Sequence, residues 1–291
     1  MKGENKAAPG ERASSLVSIR TAGRDVRVEY QWIAPERRDA PLLVFLHEGL
    51  GSLAMWKDWP ARACDAAGCR GLVYSRPGYG RSTPRPHAEK WPASFMHHQA
   101  ADVLPALLRA LDVDVRTDPP MLYGHSDGAS IALLYAALNP DACGGVIVAA
   151  PHVFVEDVTV RNIDAARLAY RQGDLRDRLA RYHDDVDSAF WGWNDIWLTP
   201  AFREWNIEAL LGDIRCPLLA LQGVDDEYGS LAQIQSIVDR APRAAMQVLP
   251  DCGHSPHRDQ PAAVIEAIRG FLGEVARPAP AAAGGPAPDA T

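Results

Sequence analysis

Three residues that can together form a hydrolytic triad occur in this sequence in the order serine, aspartate, histidine. Ser126 stands in the pentapeptide Gly124-His125-Ser126-Asp127-Gly128, between a short apolar run and a helical apolar stretch. A serine hydroxyl is a weak nucleophile at its ordinary pKa, so it needs a histidine base and a carboxylate that orients the histidine. Glycines on both sides of a serine allow a sharp strand-to-helix turn that lifts its hydroxyl to the edge of a sheet. The pentapeptide therefore predicts a nucleophile elbow at Ser126.

The acid and the base are expected further along the chain, each after a strand. Residues 218–222 form an apolar run that leads through Gly223 to the carboxylates Asp225 and Asp226. Residues 245–249 alternate as a strand does and are followed by Gly253 and His254. A base that follows the last strand can fold back over the elbow, which favours His254 over the nearby His257. The pattern alone leaves Asp225, Asp226 and the more distant Glu227 open as the acid.

Four separated blocks resemble the α/β-hydrolase superfamily over about residues 14–275. They are Leu46-His47-Glu48-Gly49-Leu50-Gly51, Ser75-Arg76-Pro77-Gly78-Tyr79-Gly80-Arg81-Ser82, the pentapeptide at Ser126, and Gly253-His254. The resemblance implies an α/β fold with a mostly parallel eight-stranded sheet, flanking helices and a helical cap inserted after strand 6. It also implies that the acid stands three residues after the strand-end glycine, which selects Asp226. A triad of Ser126, Asp226 and His254 needs no cofactor and no metal.

The oxyanion hole can be assigned by the role that its donors play. A tetrahedral intermediate needs two backbone N–H groups aimed at the developing negative charge. In the family these come from the residue after the nucleophile and from the loop after the third strand. The sequence therefore predicts the amides of Asp127 and Gly49 as the two donors.

Two carboxylates stand beside these donors, and the sequence departs from the family pattern there. Glu48 replaces a glycine, and Ser75 replaces an aspartate in the second block. An uncompensated carboxylate would oppose the charge that develops in a desolvated site. We expect Asp127 to point along the helix N-terminus and Glu48 to pair with Arg76 or Arg81. The alternative is that one carboxylate receives a cationic group of the substrate, so Glu48 is also a candidate substrate-binding residue.

Residues 153–213 do not continue the alternation of strands and helices. They contain helical stretches at 163–171 and 175–182 and then an aromatic cluster. By resemblance this segment is the cap over the active site. Trp191, Trp193 and Trp197 are candidates for lining a substrate pocket. The alternative is that these side chains only pack the cap onto the core, since each tryptophan buries a large area.

Composition and charge exclude several classes of protein. The 291 residues are 47% apolar and 23% charged, with a net charge of −7, which gives no basic surface for nucleic acid. No apolar run approaches the roughly 20 residues needed to span a bilayer. Five irregularly spaced cysteines and the lack of a leading apolar segment favour a cytoplasmic protein. The spacing of Cys64 and Cys69, like that of the adjacent His97 and His98, does not fit a metal site.

The element predictions describe one catalytic domain in two pieces. The core is expected at 14–152 and 214–276, the cap at 153–213, and disordered tails at 1–13 and 277–291. Strands are predicted at 14–20, 26–33, 42–47, 71–75, 120–125, 144–150, 217–222 and 245–249. Helices are predicted at 54–67, 94–111, 127–138, 230–240 and 260–274.

The resulting hypothesis is a serine hydrolase, most simply a carboxylesterase acting on a small-molecule substrate. Three alternatives stay open because one fold hosts many functions: a carbon–carbon hydrolase of ring-cleavage products, a cofactor-free dioxygenase that keeps the triad, and a ligand receptor that does no chemistry. The intact triad argues against the receptor. A homodimer is compatible with the sequence but does not follow from it.

Overall fold

The computed structural model describes residues 14–275. The predicted tails, 1–13 and 277–291, lie outside the described residues, as does the last residue of the predicted core.

An eight-stranded sheet forms the centre of the structure, in the order β1-β2-β4-β3-β5-β6-β7-β8. Its strands are β1 (Ser15–Thr21), β2 (Arg24–Ile33), β3 (Leu42–Leu46), β4 (Arg70–Ser75), β5 (Met121–His125), β6 (Gly145–Ala149), β7 (Leu218–Gly223) and β8 (Ala244–Leu249). Only β2 runs antiparallel to its neighbours, and β3 to β8 are parallel. The strands β3, β5 and β6 are buried at every position, because helices cover both faces of the central sheet. The prediction of a mostly parallel eight-stranded α/β-hydrolase sheet is confirmed.

Helices flank the sheet close to the predicted positions. They are α1 (Trp59–Ala67), α2 (Phe95–His98), α3 (Leu104–Ala110), α4 (Asp127–Leu138), α5 (Asp157–Gln172), α6 (Leu175–Leu179), α7 (Val186–Trp197), α8 (Pro200–Arg203), α9 (Ala232–Arg240), α10 (Pro256–Asp259) and α11 (Pro261–Val275). The helix predicted at 94–111 contains a wider π-helical turn, Gln99–Val103, between α2 and α3. Pro105 follows this turn and has no N–H to donate to the preceding helix, which accounts for the interruption.

The helices α5 to α8 lie between β6 and β7 in the chain, where the sequence predicted a helical cap. An isolated bridge between Phe154 and Asn206 joins the two ends of this segment. Several of its aromatic side chains belong to the main hydrophobic core, including Phe190, Trp197 and Phe202. The inserted helices therefore pack on the sheet domain, and the boundaries 153–213 of a separate cap domain stay a prediction.

The turn between β5 and α4 is the tightest connection of the fold. A Cβ atom on Gly124 would lie 2.3 Å from the carbonyl oxygen of Gly128, and one on Gly128 would lie 2.2 Å from the carbonyl oxygen of Leu46. Backbone, which cannot move aside as a flexible side chain can, fills both positions. Gly124 thus allows α4 to begin directly against β5, and Gly128 allows the first turn of α4 to rest on the end of β3.

We expect Gly128→Ala to lower the free energy of unfolding by about 3 kcal/mol, because the added methyl group overpacks a rigid contact. Gly270→Ala is the matched control, since nothing lies within 4 Å of a Cβ at that position of α11. It should be neutral or raise stability by about 0.5–1 kcal/mol through helix propensity. Urea unfolding of both variants measures this. Equal unfolding midpoints would contradict the described packing of the elbow.

Candidate active site

The backbone of Ser126 adopts an unusual conformation. The residue joins β5 to α4 with φ 53° and ψ −120°, in a region that residues other than glycine rarely occupy. Such strain persists only where the surrounding structure holds it, and it is typical of catalytic turns. The predicted nucleophile elbow therefore has the expected geometry, with the serine at the carboxyl end of β5.

Ser126, His254 and Asp226 form a continuous chain of hydrogen bonds. The Oγ of Ser126 lies 2.9 Å from Nε2 of His254, and Nδ1 of His254 lies 2.8 Å from Oδ1 of Asp226. A carboxylate only accepts hydrogen bonds, so Nδ1 donates to Asp226. Nε2 is then left to accept the serine proton. The three residues proposed from the sequence are thus brought together in the order that general-base catalysis requires.

Asp226 is fixed by more than the histidine. Its Oδ1 also accepts the backbone N–H of Tyr228 at 2.8 Å, and its Oδ2 accepts the side-chain amide of Gln222 at 3.0 Å. Burial raises the pKa of Asp226, but the hydrogen bond and charge of His254 lower it by more, so the pKa lies below its usual range.

The other candidates have different surroundings. Glu227 accepts the backbone N–H of His254 at 3.1 Å, and the Asp225 amide donates to the carbonyl oxygen of Cys252 at 2.9 Å.

The loop that carries His254 is seated on the end of β7. A Cβ on Gly223 would lie 2.0 Å from the carbonyl oxygen of Cys252, so the two loops touch through their backbones. The Gly253 amide donates to Oδ2 of Asp259 at 2.9 Å, which fixes the loop from its other side. These contacts set the distance between the histidine and the acid. His257, the competing base, packs against the rings of Trp56 and His125.

The backbone amides of Gly49 and Asp127 are the predicted oxyanion donors. Neither amide has a hydrogen-bond partner within the part of the chain that the structure describes. Asp127 begins the 12-residue helix α4, whose N-terminal end carries a partial positive charge. Both N–H groups are therefore free to bind a negatively charged oxygen.

The prediction that Glu48 pairs with an arginine is wrong. Its carboxylate does not pair with Arg76 or Arg81; its Oε2 lies 3.6 Å from Nδ1 of His125, and Nε2 of that ring donates to the carbonyl oxygen of His254 at 2.6 Å. Burial raises the pKa of Glu48, but His125 and the other nearby histidines lower it well below its usual range. The carboxylate of Glu48 thus faces the ring that holds the backbone of His254.

The carboxylate of Asp127 is enclosed rather than exposed at the helix N-terminus. Its Oδ1 accepts the indole N–H of Trp197 at 3.2 Å, and its Oδ2 lies 3.9 Å from Nη1 of Arg76. Burial raises the pKa of Asp127 to about 6, although Arg76 and Trp197 oppose the shift. This enclosure leaves little room for a substrate amine at Asp127.

Two of the three candidate tryptophans lie on one face of α7 and contact the two oxyanion residues. Trp193 and Trp197 are four positions apart, which places them on the same side of the helix. The Nε1 of Trp193 would lie 2.1 Å from a Cβ on Gly49, so the indole rests on that glycine. Trp197 binds Asp127, as described above. One helix therefore touches the residues that carry both predicted donors.

Trp191 lies in a different environment. It packs against Phe190 and under the guanidinium of Arg171, with the arginine 5.0 Å from the ring centroid. Its side chain lines a cavity of about 380 Å³ whose lining residues include none of the triad. Contact of Glu48, Trp191, Trp193 or Trp197 with substrate stays a prediction, and the geometry favours Trp193.

A buried carboxylate from a neighbouring strand contacts the serine that stands where the second block of the family has an aspartate. Glu29 of β2 accepts the Ser75 hydroxyl at 2.8 Å and the Arg81 amide at 3.0 Å. Ser82 donates its hydroxyl to the carbonyl of Ser75 at 2.6 Å. The sequence did not point to Glu29, because it is 46 residues from Ser75 and becomes its neighbour only when β2 pairs with β4.

Metal clusters, disulfides and membrane-spanning helices are absent from the described residues. Within residues 14–275, no three His, Cys, Asp or Glu side chains form a cluster that could hold a metal ion. In the same range, all five cysteines are free and buried. No described helix is both long and apolar enough to cross a membrane.

Comparison with known proteins decides the family. The profile of the Alpha/beta hydrolase family matches residues 43–267, which include the elbow, the acid and the histidine. The chain belongs to this family of α/β hydrolases.

Individual members of the family resemble the chain only distantly. It is 24% identical to mouse protein phosphatase methylesterase 1, over 80% of this chain and 76% of that protein. It is also 24% identical to a proline iminopeptidase of Levilactobacillus brevis, over 82% of this chain and 91% of that protein. A solved structure of a thermophilic esterase from Thermogutta terrifontis superimposes with a TM-score of 0.67 at 21% identity, covering 91% of this chain and 99% of that one. At these identities the likeness supports a hydrolase without naming its substrate.

We expect Asp226→Asn to reduce turnover by about 10⁴, because an amide cannot hold the required tautomer or stabilise the charged imidazole. Asp225→Asn is the neighbouring control and should change turnover by less than about tenfold, since its side chain has no role in the hydrogen-bond chain. Steady-state kinetics on one ester substrate compares the two. A larger loss for Asp225→Asn would move the acid to that residue.

Proposed function

We propose that this α/β hydrolase is a serine hydrolase that cleaves small-molecule carboxylic esters through an acyl-enzyme on Ser126. The observation that carries the proposal is the hydrogen-bond chain from Ser126 through His254 to Asp226, with distances of 2.9 and 2.8 Å. A strained serine at a strand-to-helix turn next to two free amides completes the parts needed for acyl transfer.

Acylation uses these parts in sequence. As Ser126 Oγ attacks the ester carbonyl carbon, its proton moves to Nε2 of His254, and the carbonyl oxygen becomes an oxyanion held by the amides of Gly49 and Asp127. The positive imidazole is stabilised by the carboxylate of Asp226. When the tetrahedral intermediate collapses, the bond to the leaving oxygen breaks. The proton on Nε2 passes to that oxygen, and an alcohol leaves.

Deacylation repeats the same steps with water. His254 takes a proton from a water molecule as the water attacks the acyl carbon. The second tetrahedral intermediate uses the same two amides. Its collapse returns the proton to Ser126 and releases a carboxylic acid. No step needs a redox cofactor, because the net reaction is the addition of water across the ester bond.

An ester is favoured as the substrate because an alkoxide is a better leaving group than the nitrogen anion that an amide would release, so ester cleavage depends less on protonation by the general acid. Ser126 is only 7% exposed and His254 is half-buried, which suits a small molecule better than a folded protein surface. The names of the similar mouse protein phosphatase methylesterase and of the thermophilic esterase agree with an ester as the bond that is cleaved, and do not bear on the size of the substrate. A panel of nitrophenyl esters, amino-acyl amides and vinylogous diketones separates ester, amide and carbon–carbon cleavage.

Ser126 should be labelled by a fluorophosphonate probe at neutral pH, because a base already contacts its hydroxyl. Ser126→Ala should abolish labelling and reduce ester hydrolysis by several orders of magnitude. Ser130→Ala serves as the control, since that hydroxyl is buried one turn further along α4 and donates to the carbonyl of His152 at 2.6 Å. Labelling that survives in Ser126→Ala would show that the wrong nucleophile has been assigned.

We expect Trp193→Ala to change the ranking of acyl chain lengths, because its indole rests on the Gly49 loop where the acyl group must pass. Trp191→Ala should lower the melting temperature and leave the ranking unchanged, because it packs with Phe190 and Arg171 instead. Comparing kcat/KM over nitrophenyl acetate, butyrate and octanoate tests both variants. An unchanged ranking in Trp193→Ala would mean that this residue only packs the inserted helices.

A further inference from the structure

A single buried arginine reaches the residues on both sides of the proposed oxyanion hole. Arg76 follows β4 and is fully buried. Its Nη2 donates to the backbone carbonyl oxygen of Glu48 at 2.7 Å. Its Nη1 lies 3.9 Å from the carboxylate of Asp127, and its guanidinium lies over the ring of Tyr79 at 4.8 Å. Arg76 therefore touches the peptide that supplies one predicted donor and the side chain of the residue that supplies the other.

The contact with Glu48 helps to set the direction of the Gly49 N–H. The carbonyl of Glu48 and the amide of Gly49 belong to one planar peptide unit, and in a trans peptide these two groups point in opposite directions. The chain has no cis peptide bond among its described residues. When Arg76 holds the carbonyl on one side, the N–H must point to the other. The hydrogen bond thus helps to orient a predicted oxyanion donor, and Arg76 does not need to touch the substrate to do so.

Two further groups support the same carbonyl: the backbone N–H of Gly51 donates to it at 3.1 Å, and so does the ring of His47. The Nδ1 of His47 lies 2.7 Å from the oxygen of Glu48, and its Nε2 accepts the backbone N–H of Arg76 at 3.0 Å. Because Nε2 accepts, the proton of the neutral ring is on Nδ1, which donates to Glu48. Burial and the charge of Arg76 lower the pKa of His47 well below its usual range, so the ring stays neutral. This 3.0 Å bond to His47 comes from the backbone of Arg76 and is kept in Arg76→Met, so the side chain acts on the peptide through its direct bond to Glu48.

The burial of this charge is costly, which argues against a role as simple filler. A guanidinium removed from water needs hydrogen bonds or an opposite charge, and apolar residues of similar volume often stabilise a core as well or better. Asp127 is the only carboxylate within 4 Å of the Arg76 guanidinium in residues 14–275, and at 3.9 Å it is an incomplete partner. The charge is instead directed at the peptide before Gly49.

We propose that Arg76 is the positioning residue of the oxyanion hole. It aims the Gly49 amide through the carbonyl of Glu48, and it holds the side chain of Asp127, whose own amide is the second donor. The proposal rests on the proposed acyl-transfer function of Ser126. An arginine in this role stabilises the transition state more than the bound substrate, because the donors bind the oxyanion more strongly than the ground-state carbonyl.

Arg76→Met and Arg76→Lys test the proposal, with Arg70→Met as the matched control. Arg70 begins the same strand at its opposite end, where it donates to the carbonyl of Ala40 and pairs with Asp118. Each variant is first checked for folding by circular dichroism and urea unfolding. The readouts are kcat and KM for a nitrophenyl ester and the inhibition constants of a trifluoromethyl ketone, which forms a tetrahedral adduct, and of its methyl ketone analogue, which binds as a ground state.

In Arg76→Met we expect kcat to fall by about 10², the loss typical of one oxyanion donor. The affinity for the trifluoromethyl ketone should fall by the same factor, while KM and the affinity for the methyl ketone change by less than about threefold. Arg76→Lys keeps one charged donor and should recover part of the loss, and it replaces Arg76→Met if that variant does not fold. In Arg70→Met, kcat, KM and the two inhibition constants should stay within about threefold of their wild-type values, whatever the effect of the substitution on stability.

Three results would overturn the proposal. One is an unchanged kcat in folded Arg76→Met. Another is an equal loss of affinity for both ketones, which would indicate general damage to the pocket. The third is an equal loss in Arg70→Met, which would indicate a structural effect. A failure of the proposed function is distinguishable from these, because wild-type protein would then show no fluorophosphonate labelling at Ser126 and no ester hydrolysis.

Discussion

The close approach of α4 to the end of β3 is the contact on which the rest of the site depends. Gly128 rests on the carbonyl of Leu46, so the first turn of the helix and the loop that begins at His47 are held together by backbone. Asp127 lies in that first turn and Gly49 in that loop, and their amides are the two predicted oxyanion donors. A larger residue at position 128 would have to push the turn and the loop apart.

Two carboxylates lie close to this contact between α4 and β3. The carboxylates of Glu48 and Asp127 belong to residues beside or at the two predicted oxyanion donors, and each has different neighbours. Glu48 faces His125, while Asp127 lies between Arg76 and Trp197. Because α7 supplies Trp197 and also rests Trp193 on Gly49, the inserted helices are part of the environment of both donors.

Local sequence patterns predicted most of the fold, and long-range contacts account for what they missed. Apolar runs and alternation place all eight strands within a few residues, and the serine pentapeptide and the Gly253-His254 pair mark two of the three triad members. The choice of Asp226 needed the family resemblance, since Asp225 has the same chemistry. The pairing of the strands decides what the sequence patterns missed. It sets the partners of Glu48, the position of the Glu29 carboxylate beside Ser75 and the role of Arg76. The periodicity of the sequence does not predict those contacts.

The most direct test of acyl transfer through Ser126 is to trap the covalent intermediate during turnover of a slow ester. Rapid acid quench followed by mass spectrometry of the digested protein should find the acyl group on the peptide that contains Ser126. The first-turnover burst of released alcohol should approach about one equivalent per chain when deacylation is slow. Steady release of alcohol with no burst and no acylated peptide, under conditions in which the ester is hydrolysed, would contradict the account.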